Sequence, residues 1–539
     1  MKTFIKKQPE SFIFIVITIL NLFPVLFTKF VPTLDGACHL YNSKLMNYLL
    51  FDAPSRINDF FIFNHEPVPN YFGQIVLSFF NLFLPAWLSE KSLIIIYLVA
   101  FPLSFRRLVK TITPNNLFLS YLIFPFTYNI IFFYFGFYNN CFAIIFMLIA
   151  LNFWIRNEED LSFFSNHLNT NKTLLKKRLL FLLLFLLTYF SHIFIFGILL
   201  LIIGVQIIIK ALKNIRGFKL LVKKVISLIL FSIIPLILIF FYFNSRKSTG
   251  KIDYLSFREQ IFWLKNLVIT HDENPIFVGI LFYSFSFLLF VALIYRINAA
   301  RQLWKAKQNE NLISFIKKFV IESDLYLITC ILFLVFYFII PDGDGVAGVI
   351  TLRFGLLFFI IACIWIATQN LPKQLIIVII TIMMISHFKL NIDRMNTVKS
   401  MNNIANDIYK LTEQINPNCI ILPFNYSDNQ RAIHFSNYLG INKPIVVLEN
   451  YECSRGWFPL LWNLESMPTT MIGDINSEQP CIYPHGKGTD SSVKIDYIFI
   501  MGNMESKTDS CTQKVKKSIM DNYNSIPTNS DLMKLYKLK

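Results

Sequence analysis

The stretch VISLILFSIIPLILIFFYF, residues 225 to 243, carries no charged side chain and follows directly on Lys223 and Lys224. A helix rises about 1.5 Å per residue, so about 20 apolar residues cross the roughly 30 Å hydrocarbon core of a bilayer. This stretch therefore predicts a membrane-spanning helix. Comparable apolar runs recur along the chain, and we predict spans at residues 11–30, 71–88, 92–109, 115–131, 134–155, 179–209, 225–243, 276–295, 324–340, 354–369 and 374–388.

The composition of the 539-residue chain agrees with this prediction. Hydrophobic residues make up 55% of the chain and the mean hydropathy is +0.53, whereas about 45 to 50% is usual in soluble domains. The run 179–209 is long enough for one tilted helix or for two helices broken near Ser191 and His192. We therefore predict a polytopic α-helical membrane protein with 11 to 13 spans, located in a bacterial inner (plasma) membrane.

The basic residues indicate the orientation of the chain. The net charge is +17, but Lys and Arg cluster in short loops between apolar runs, as the positive-inside rule expects, so we do not predict nucleic-acid binding. Lys2, Lys6 and Lys7 precede the first span and predict a retained anchor with a cytoplasmic N-terminus. An odd number of spans then places the loop 31–70 and the C-terminus outside.

Two basic clusters disagree with the eleven-span assignment. Arg106, Arg107 and Lys110 form the first cluster, and the second lies within residues 172–178. Both would fall outside, against the rule. Either a crossing is misplaced between residues 71 and 178 or these cations bind an anion.

The hydropathy pattern of the sequence changes at Lys389. Short apolar runs such as CIILPF (419–424) and KIDYIFIMG (494–502) alternate with helix-like segments, which is typical of an α/β domain. We predict a transmembrane domain over residues 1–388 and a periplasmic or extracellular α/β domain over residues 389–539. This domain contains four cysteines, which are Cys419, Cys453, Cys481 and Cys511. Four cysteines suit two disulfides, in any of three pairings.

The first outer loop opens with an acid. Asp35 and Gly36 precede ACHLYNSKLMNYLLF (37–51), whose apolar residues recur at three- and four-residue spacing and predict an amphipathic helix on the membrane surface. Asp35 has two interpretations: an N-cap of this helix, or a general base acting on a hydroxyl from the aqueous side. His39, four residues on, is an interfacial side chain or a substrate-positioning residue.

The same loop ends in FNHEPVPNYFG (63–73), where His65 and Glu66 precede two prolines. Prolines at this place stiffen the start of the next helix. His65 and Glu66 either line the cavity of Asp35 and position substrate or belong to a solvated loop end.

These features together resemble the GT-C glycosyltransferases, a superfamily that includes protein O-mannosyltransferases and lipid A aminoarabinose transferases. The resemblance is carried by TLDGACHLY (33–41), EPVPNYFG (66–73), the many further spans and the outward C-terminal domain. It implies an inverting enzyme that takes a sugar from a polyprenyl-phosphate donor, with Asp35 as the catalytic base. Two departures stand out: Gly36 replaces a second acid, which leaves a divalent metal open as a cofactor, and no WWD-like motif is present, which argues against an oligosaccharyltransferase.

A second candidate site lies in PDGDGVAGVITLRF (341–354), where Arg353 begins an apolar run. An arginine at membrane depth is costly unless it pairs or binds an anion, and its guanidinium matches phosphate geometry. Arg353 is therefore a candidate for binding the donor phosphate; the alternative is an ion pair with Asp342 or Asp344. His192 lies in a long apolar run and is either a structural histidine, hydrogen-bonded to a neighbouring helix or at a helix break, or a substrate-positioning residue.

We therefore predict a GT-C-like glycosyltransferase that moves a sugar from a polyprenyl-phosphate donor to a lipid, glycan or protein acceptor on the outer face. Three alternatives stay open: a polysaccharide polymerase or ligase, a lipid-linked-sugar transporter, and a non-catalytic membrane subunit of an envelope assembly system. A polymerase usually carries its soluble part between spans, and a transporter is expected to show repeats. A non-catalytic subunit would tolerate the loss of Asp35.

Overall fold

The computed structural model describes residues 9–51, 55–164, 171–213, 217–244, 252–305, 320–343, 348–468, 470–472, 482–484, 493–528 and 530–539. Within these ranges nine helices are long and apolar enough to cross a membrane. A polytopic helical membrane protein is thus confirmed. The nine helices are Pro9–Leu26, Ala86–Ile112, Pro114–Phe133, Tyr138–Leu161, Ile193–Lys213, Gly217–Asn244, Pro275–Lys305, Ile350–Ala367 and Lys373–Gln414.

Two predicted spans differ from the helices observed. The predicted span 71–88 is replaced by the nine-residue helix Phe72–Phe80, which at about 1.5 Å per residue is too short to cross a bilayer. The following helix, Ala86–Ile112, has 27 residues. The run 179–209 is divided between Asn171–Ser191 and Ile193–Lys213, with His192 between them.

The described chain divides into two compact units. The first unit comprises Met1–Pro24, Ile96–Phe133 and Asn140–Met395. In it, Asp324–Ile339 packs against Ile350–Ala367, which is buried from Thr351 to Ala367. A helix that is apolar all round belongs in the interior of a bundle, and this burial encloses Arg353.

The second unit comprises Val25–Ile95, Tyr134–Asn139 and Asn396–Lys539. The loop 31–70, assigned from sequence to the membrane domain, is thus grouped with the C-terminal segment. Helices of this unit include Gly36–Phe51, Ser55–Phe60, Phe72–Phe80 and Ser510–Asn522. Its strands are β1 Phe61–Phe63, β2 Cys419–Tyr426, β3 Ile445–Val447, β4 Leu460–Trp462, β5 Thr470–Ile472, β6 Ile482–Pro484, β7 Tyr497–Gly502, β8 Tyr523–Ile526 and β9 Met533–Leu538.

Five strands form a mixed sheet in the order β3-β2-β7-β9-β8. The central strand β2 runs parallel to β3 and β7, and its unbroken apolar run fits a strand covered on both faces. β9 is antiparallel to both β7 and β8. The pairs β1–β4 and β5–β6 form two further ribbons.

The helix Gly36–Phe51 forms as predicted but is not a surface helix. Gly36 to Ser43 and Leu45 to Asn47 are all buried, so both its apolar and its polar faces are covered. The Tyr41 hydroxyl donates to the Ile445 carbonyl at 2.6 Å and accepts from the Val447 amide at 3.1 Å. It thereby satisfies the edge of β3, which would otherwise expose unpaired backbone groups.

The prediction of two disulfides is wrong. Cys419 and Cys453 are free and buried. Cys511 is disulfide-bonded, and Cys481 lies outside the described residues.

Candidate active site

The turn that carries Asp35 is held by backbone hydrogen bonds to residues 134 and 135. The amides of Leu34 and Asp35 donate to the carbonyls of Tyr134 and Phe135 at 2.8 and 3.0 Å. The next residue, Gly136, has a φ of +79°, and a Cβ there would lie 3.1 to 3.2 Å from the Gly36 and Asp35 amides. Glycine is therefore needed at this position, because only it adopts this conformation without strain and leaves room for the turn.

The Asp35 carboxylate points into the protein and does not cap its helix. The Gly36 amide donates to the Thr33 hydroxyl at 3.1 Å. Asp35 itself is 6% exposed, lies 3.9 Å from Nε2 of His434 and accepts a hydrogen bond from the Tyr451 hydroxyl. Asp35 thus belongs to a buried polar cluster with a histidine and a tyrosine.

Burial sets the acidity of Asp35. It raises the pKa of the Asp35 carboxyl to about 6, while the neighbouring His434 and His39 act in the opposite direction. A carboxyl with such a pKa is mostly ionised at neutral pH but accepts a proton more readily than an exposed aspartate does. This is the property required of a general base.

His434 links Asp35 to a second acid. Its Nδ1 lies 2.5 Å from Oε1 of Glu449, and its ring stacks on Tyr451 with centroids 4.5 Å apart. Although burial alone lowers the pKa of His434, Glu449 and Asp35 raise it more, so the net shift is upward. The imidazole is therefore stabilised in its charged form between two carboxylates.

His39 forms a second pair of the same kind. Its Nδ1 lies 2.6 Å from Oε1 of the fully buried Glu452 and 3.0 Å from the amide nitrogen of Gln74. Burial lowers the pKa of His39, but Glu452, Asp35 and Glu90 together raise it more, so the net shift is upward. The amide of Asn42 also donates to Glu452, at 2.6 Å, which fixes this carboxylate.

A further buried acid, Glu90, lies beside the turn that carries Asp35. Glu90 is 1% exposed and accepts a hydrogen bond of 3.0 Å from the Tyr138 hydroxyl. A Cβ on Gly36 would lie 2.6 Å from Oε1 of Glu90 and 2.7 Å from the Tyr138 hydroxyl. The space that a second acid would need after Asp35 is therefore occupied.

Three of these side chains have the chemistry of a metal site. Donor atoms of Cys38, His434 and Glu449 lie within 4.8 Å of one another, and thiol, imidazole and carboxylate together suit a transition ion. However, both nitrogens of His434 already face carboxylates, and the Asn437 amide donates to Glu449 at 2.5 Å and to the Cys38 sulfur at 3.1 Å. We therefore interpret the cluster as a hydrogen-bonded network.

The predicted residues of the first unit also meet. An Arg353 guanidinium nitrogen lies 2.8 Å from Nε2 of His192, and Arg353 is 7% exposed. The amide of Thr351 donates to the Asp342 carboxylate at 3.0 Å, so this acid caps the start of the Arg353 helix. Asp344 lies outside the described residues, and the joint cavity of Asp35 and Arg353 stays a prediction.

His65 and Glu66 are exposed residues of the loop before Phe72–Phe80. In the described part of the chain the structure shows no hydrogen bond or ion pair from either side chain to Asp35. The backbone amide of Glu66 donates a hydrogen bond to the Asn64 side chain at 3.0 Å. Their role in positioning substrate stays a prediction.

Sequence reasoning missed His434, Glu449, Tyr451, Glu452 and Glu90. One signal could have found three of them, because Glu449, Tyr451 and Glu452 follow directly on β3. Ligands of open sheets bind beyond the carboxyl ends of parallel strands, so an acid- and tyrosine-rich segment there indicates a site. Comparison of the chain with protein-family models, with curated proteins and with solved structures finds no match.

Proposed function

We propose that this chain is a membrane glycosyltransferase, which transfers a sugar from a polyprenyl-phosphate donor to an acceptor hydroxyl on the outer face of the membrane. The observation that supports it best is the Asp35 carboxyl, which is buried, lies at the start of a rigid helix and has a pKa of about 6. An inverting transferase needs one such base. Tyr451 and Glu449, which are half-buried, form the accessible side of the cluster.

The proposed reaction is a single displacement at the anomeric carbon of the donor. Asp35 takes the proton of the acceptor hydroxyl while the acceptor oxygen forms the new bond to carbon. The bond from carbon to the phosphate oxygen breaks, and the polyprenyl phosphate leaves with the electron pair. Attack from the side opposite to the leaving group inverts the anomeric configuration.

The two His–Glu pairs are positioning groups in this proposal. His434, held by Glu449 at 2.5 Å, keeps positive charge beside Asp35 and favours its ionised form. His39, held by Glu452 at 2.6 Å, acts in the same direction from the Asp35 helix itself. The His434–Glu449 hydrogen bond is charge-assisted, which makes it stronger than a neutral one.

Arg353 is the candidate residue for binding the phosphate of the donor. A guanidinium in a buried helix beside a histidine suits a phosphate that carries negative charge as it leaves. We propose that Arg353 binds the donor phosphate and that His192 orients the guanidinium. Replacing Arg353 with Lys keeps the charge but removes the planar fork, so Arg353→Lys should raise the KM for donor more than it lowers kcat.

The function is tested in membranes that contain the full chain. Radiolabelled polyprenyl-phosphate sugars are supplied one at a time, and label is counted in the lipid, glycan and protein fractions. Asp35→Asn keeps the shape of the side chain and should reduce transfer by about 100- to 10,000-fold. Asp59→Asn, which alters an exposed acid of the same loop, is the control and should leave transfer unchanged.

Undiminished transfer by Asp35→Asn would overturn the proposed mechanism. A product with the donor's anomeric configuration would do the same, since it requires two displacements instead of one.

A further inference from the structure

A cavity of about 640 Å³ lies between the ends of two membrane helices of the first unit. Its lining comes from the last turns of Ala86–Ile112 and from the end of Tyr138–Leu161. Four of its six lining residues are cationic. The six are Leu103, Arg106, Arg107, Lys110, Thr111 and Arg156.

One of these cations is neutralised and three are not. Arg106 binds Glu10 through both terminal nitrogens, at 2.7 and 2.5 Å. For Arg107, Lys110 and Arg156 the described part of the chain offers no carboxylate within 4.0 Å, and all three are exposed. Arg107 and Lys110, three residues apart on one helix, lie on the same face and repel each other. An anion in the cavity would offset this repulsion.

Neighbouring cations behave differently. The acids that follow Arg156 along its helix bind lysines of other helices: Glu158 pairs with Lys210 and Lys224, and Asp160 pairs with Lys177 at 2.6 Å. Among the described residues, carboxylates thus pair with Arg106 and with these neighbouring lysines but not with Arg107, Lys110 or Arg156.

Helix dipoles account for only part of this charge. The negative end of a helix attracts cations only within its last turn. Lys110 lies in the last turn of Ala86–Ile112, and Arg156 directly precedes Asn157, whose non-helical backbone interrupts Tyr138–Leu161. Arg107 lies five residues before the end of its helix, beyond the reach of this effect.

We propose that the cavity binds the headgroup of an anionic phospholipid. Three cations attract the single negative charge of a phosphate diester and supply N–H donors for its oxygens. Leu103, which is 42% exposed, lies one turn further into the apolar part of the same helix, where an acyl chain would contact it. The membrane position favours a lipid over a soluble phosphate, because a lipid presents its phosphate at the depth where spanning helices end.

The experiment compares two triple variants of the full chain in phosphatidylcholine nanodiscs that contain a minor fraction of phosphatidylglycerol. The cavity variant is Arg107→Gln/Lys110→Gln/Arg156→Gln. The control variant, Lys213→Gln/Lys219→Gln/Lys223→Gln, removes the same charge from the adjoining ends of Ile193–Lys213 and Gly217–Asn244. Native mass spectrometry measures bound phosphatidylglycerol, with and without excess inorganic phosphate.

The three cations line one cavity, and each should contribute roughly fivefold, about the 1 kcal/mol of a cation near a membrane surface, to the binding of a headgroup held there. The cavity variant should therefore lose on the order of a hundredfold in affinity, whereas the control variant should match the wild type, because its lysines do not line the cavity. Arg107→Lys/Arg156→Lys keeps the charge and should retain binding, which separates lost charge from lost folding. Equal loss in both triple variants, unchanged binding in the cavity variant, or displacement of the lipid by inorganic phosphate would each overturn the proposal.

Discussion

Asp35 acquires its chemistry from burial, and His434 moderates it. An aspartate at the aqueous end of a helix would keep a pKa near 3.8 and would be a weak base. Burial raises the pKa of this carboxyl to about 6, and the positive charge of His434 prevents a larger rise. The sequence could show Asp35, but not His434, which lies 399 positions further along the chain.

The pH dependence of transfer should report this pKa. Only the ionised carboxylate accepts a proton, so the rate should fall about tenfold per pH unit below pH 6, because the pKa of Asp35 is about 6. A base with the ordinary value would keep its rate down to about pH 4. Initial rates measured from pH 4 to 8 with one active donor distinguish the two, and a flat profile down to pH 4 would contradict the assignment.

Removing His434 should shift the acid limb of the pH–rate profile, which is the range in which the rate of transfer falls with falling pH. His434 is the larger of the two imidazole contributions that lower the pKa of Asp35, so His434→Gln should shift the acid limb to higher pH. His39→Gln should shift it in the same direction by less. His65→Gln alters an exposed imidazole of the same loop and should leave the limb in place. A shift to lower pH in His434→Gln would show that the histidine acts otherwise.

The helix Gly36–Phe51 shows what the sequence can predict of an element. Its apolar spacing predicted a helix, and a helix forms. Its burial could not be predicted, because the groups that satisfy its polar face are distant in sequence. Asn42 exchanges hydrogen bonds with Asn450 and donates one to Glu452, and Ser43 accepts one from Asn81. From the sequence alone, these polar side chains looked like a solvated face.

The close contact of this helix with Glu90 predicts the effect of one methyl group. In Gly36→Ala the added Cβ would lie 2.6 Å from Glu90 and from Thr33, and overpacking of this kind costs about 1 to 3 kcal/mol. The thermal unfolding midpoint in detergent should fall. Gly204→Ala is the matched control, since nothing lies within 4 Å of that position and alanine favours a helix by about 1 kcal/mol. Equal midpoints for the two variants would contradict the crowding around Glu90.

The long helix Lys373–Leu411 is anchored by one buried ion pair. Nε of Arg394 lies 3.0 Å from Glu273, with both side chains almost fully buried, and the guanidinium also donates to the Val268 carbonyl at 2.7 Å. Removing one partner leaves the other charge buried and alone, at a cost of about 3 to 5 kcal/mol. Arg394→Met should therefore unfold at lower temperature than Arg394→Met/Glu273→Leu, and the reverse order would show that the pair does not stabilise the fold.

At the scale of the whole molecule, one correction would remove the charge conflict in the sequence. With residues 71–88 no longer counted as a span, we predict that the nine candidate spans cross the membrane together with the helices Asn171–Ser191 and Asp324–Ile339, which would give eleven crossings among the described residues. With the predicted cytoplasmic N-terminus, both basic clusters, at 106–110 and 172–178, would then fall inside, as the positive-inside rule expects. The sequence alone could not exclude a span at 71–88, because this run is as long and apolar as a membrane-spanning helix. The structure shows that the helix is interrupted at residues 81–85.

This orientation predicts which engineered cysteines a membrane-impermeant maleimide reaches. Asp59→Cys and Lys517→Cys should be labelled in intact cells, whereas Lys176→Cys and Lys223→Cys should need permeabilised membranes. The native background is low, since the six free cysteines that the structure describes are all buried; the unmodified chain is the blank. Lys176→Cys is decisive, because counting 71–88 as a span places it outside. Its labelling in intact cells would restore that crossing and return the cations at 106–110 to the outer face.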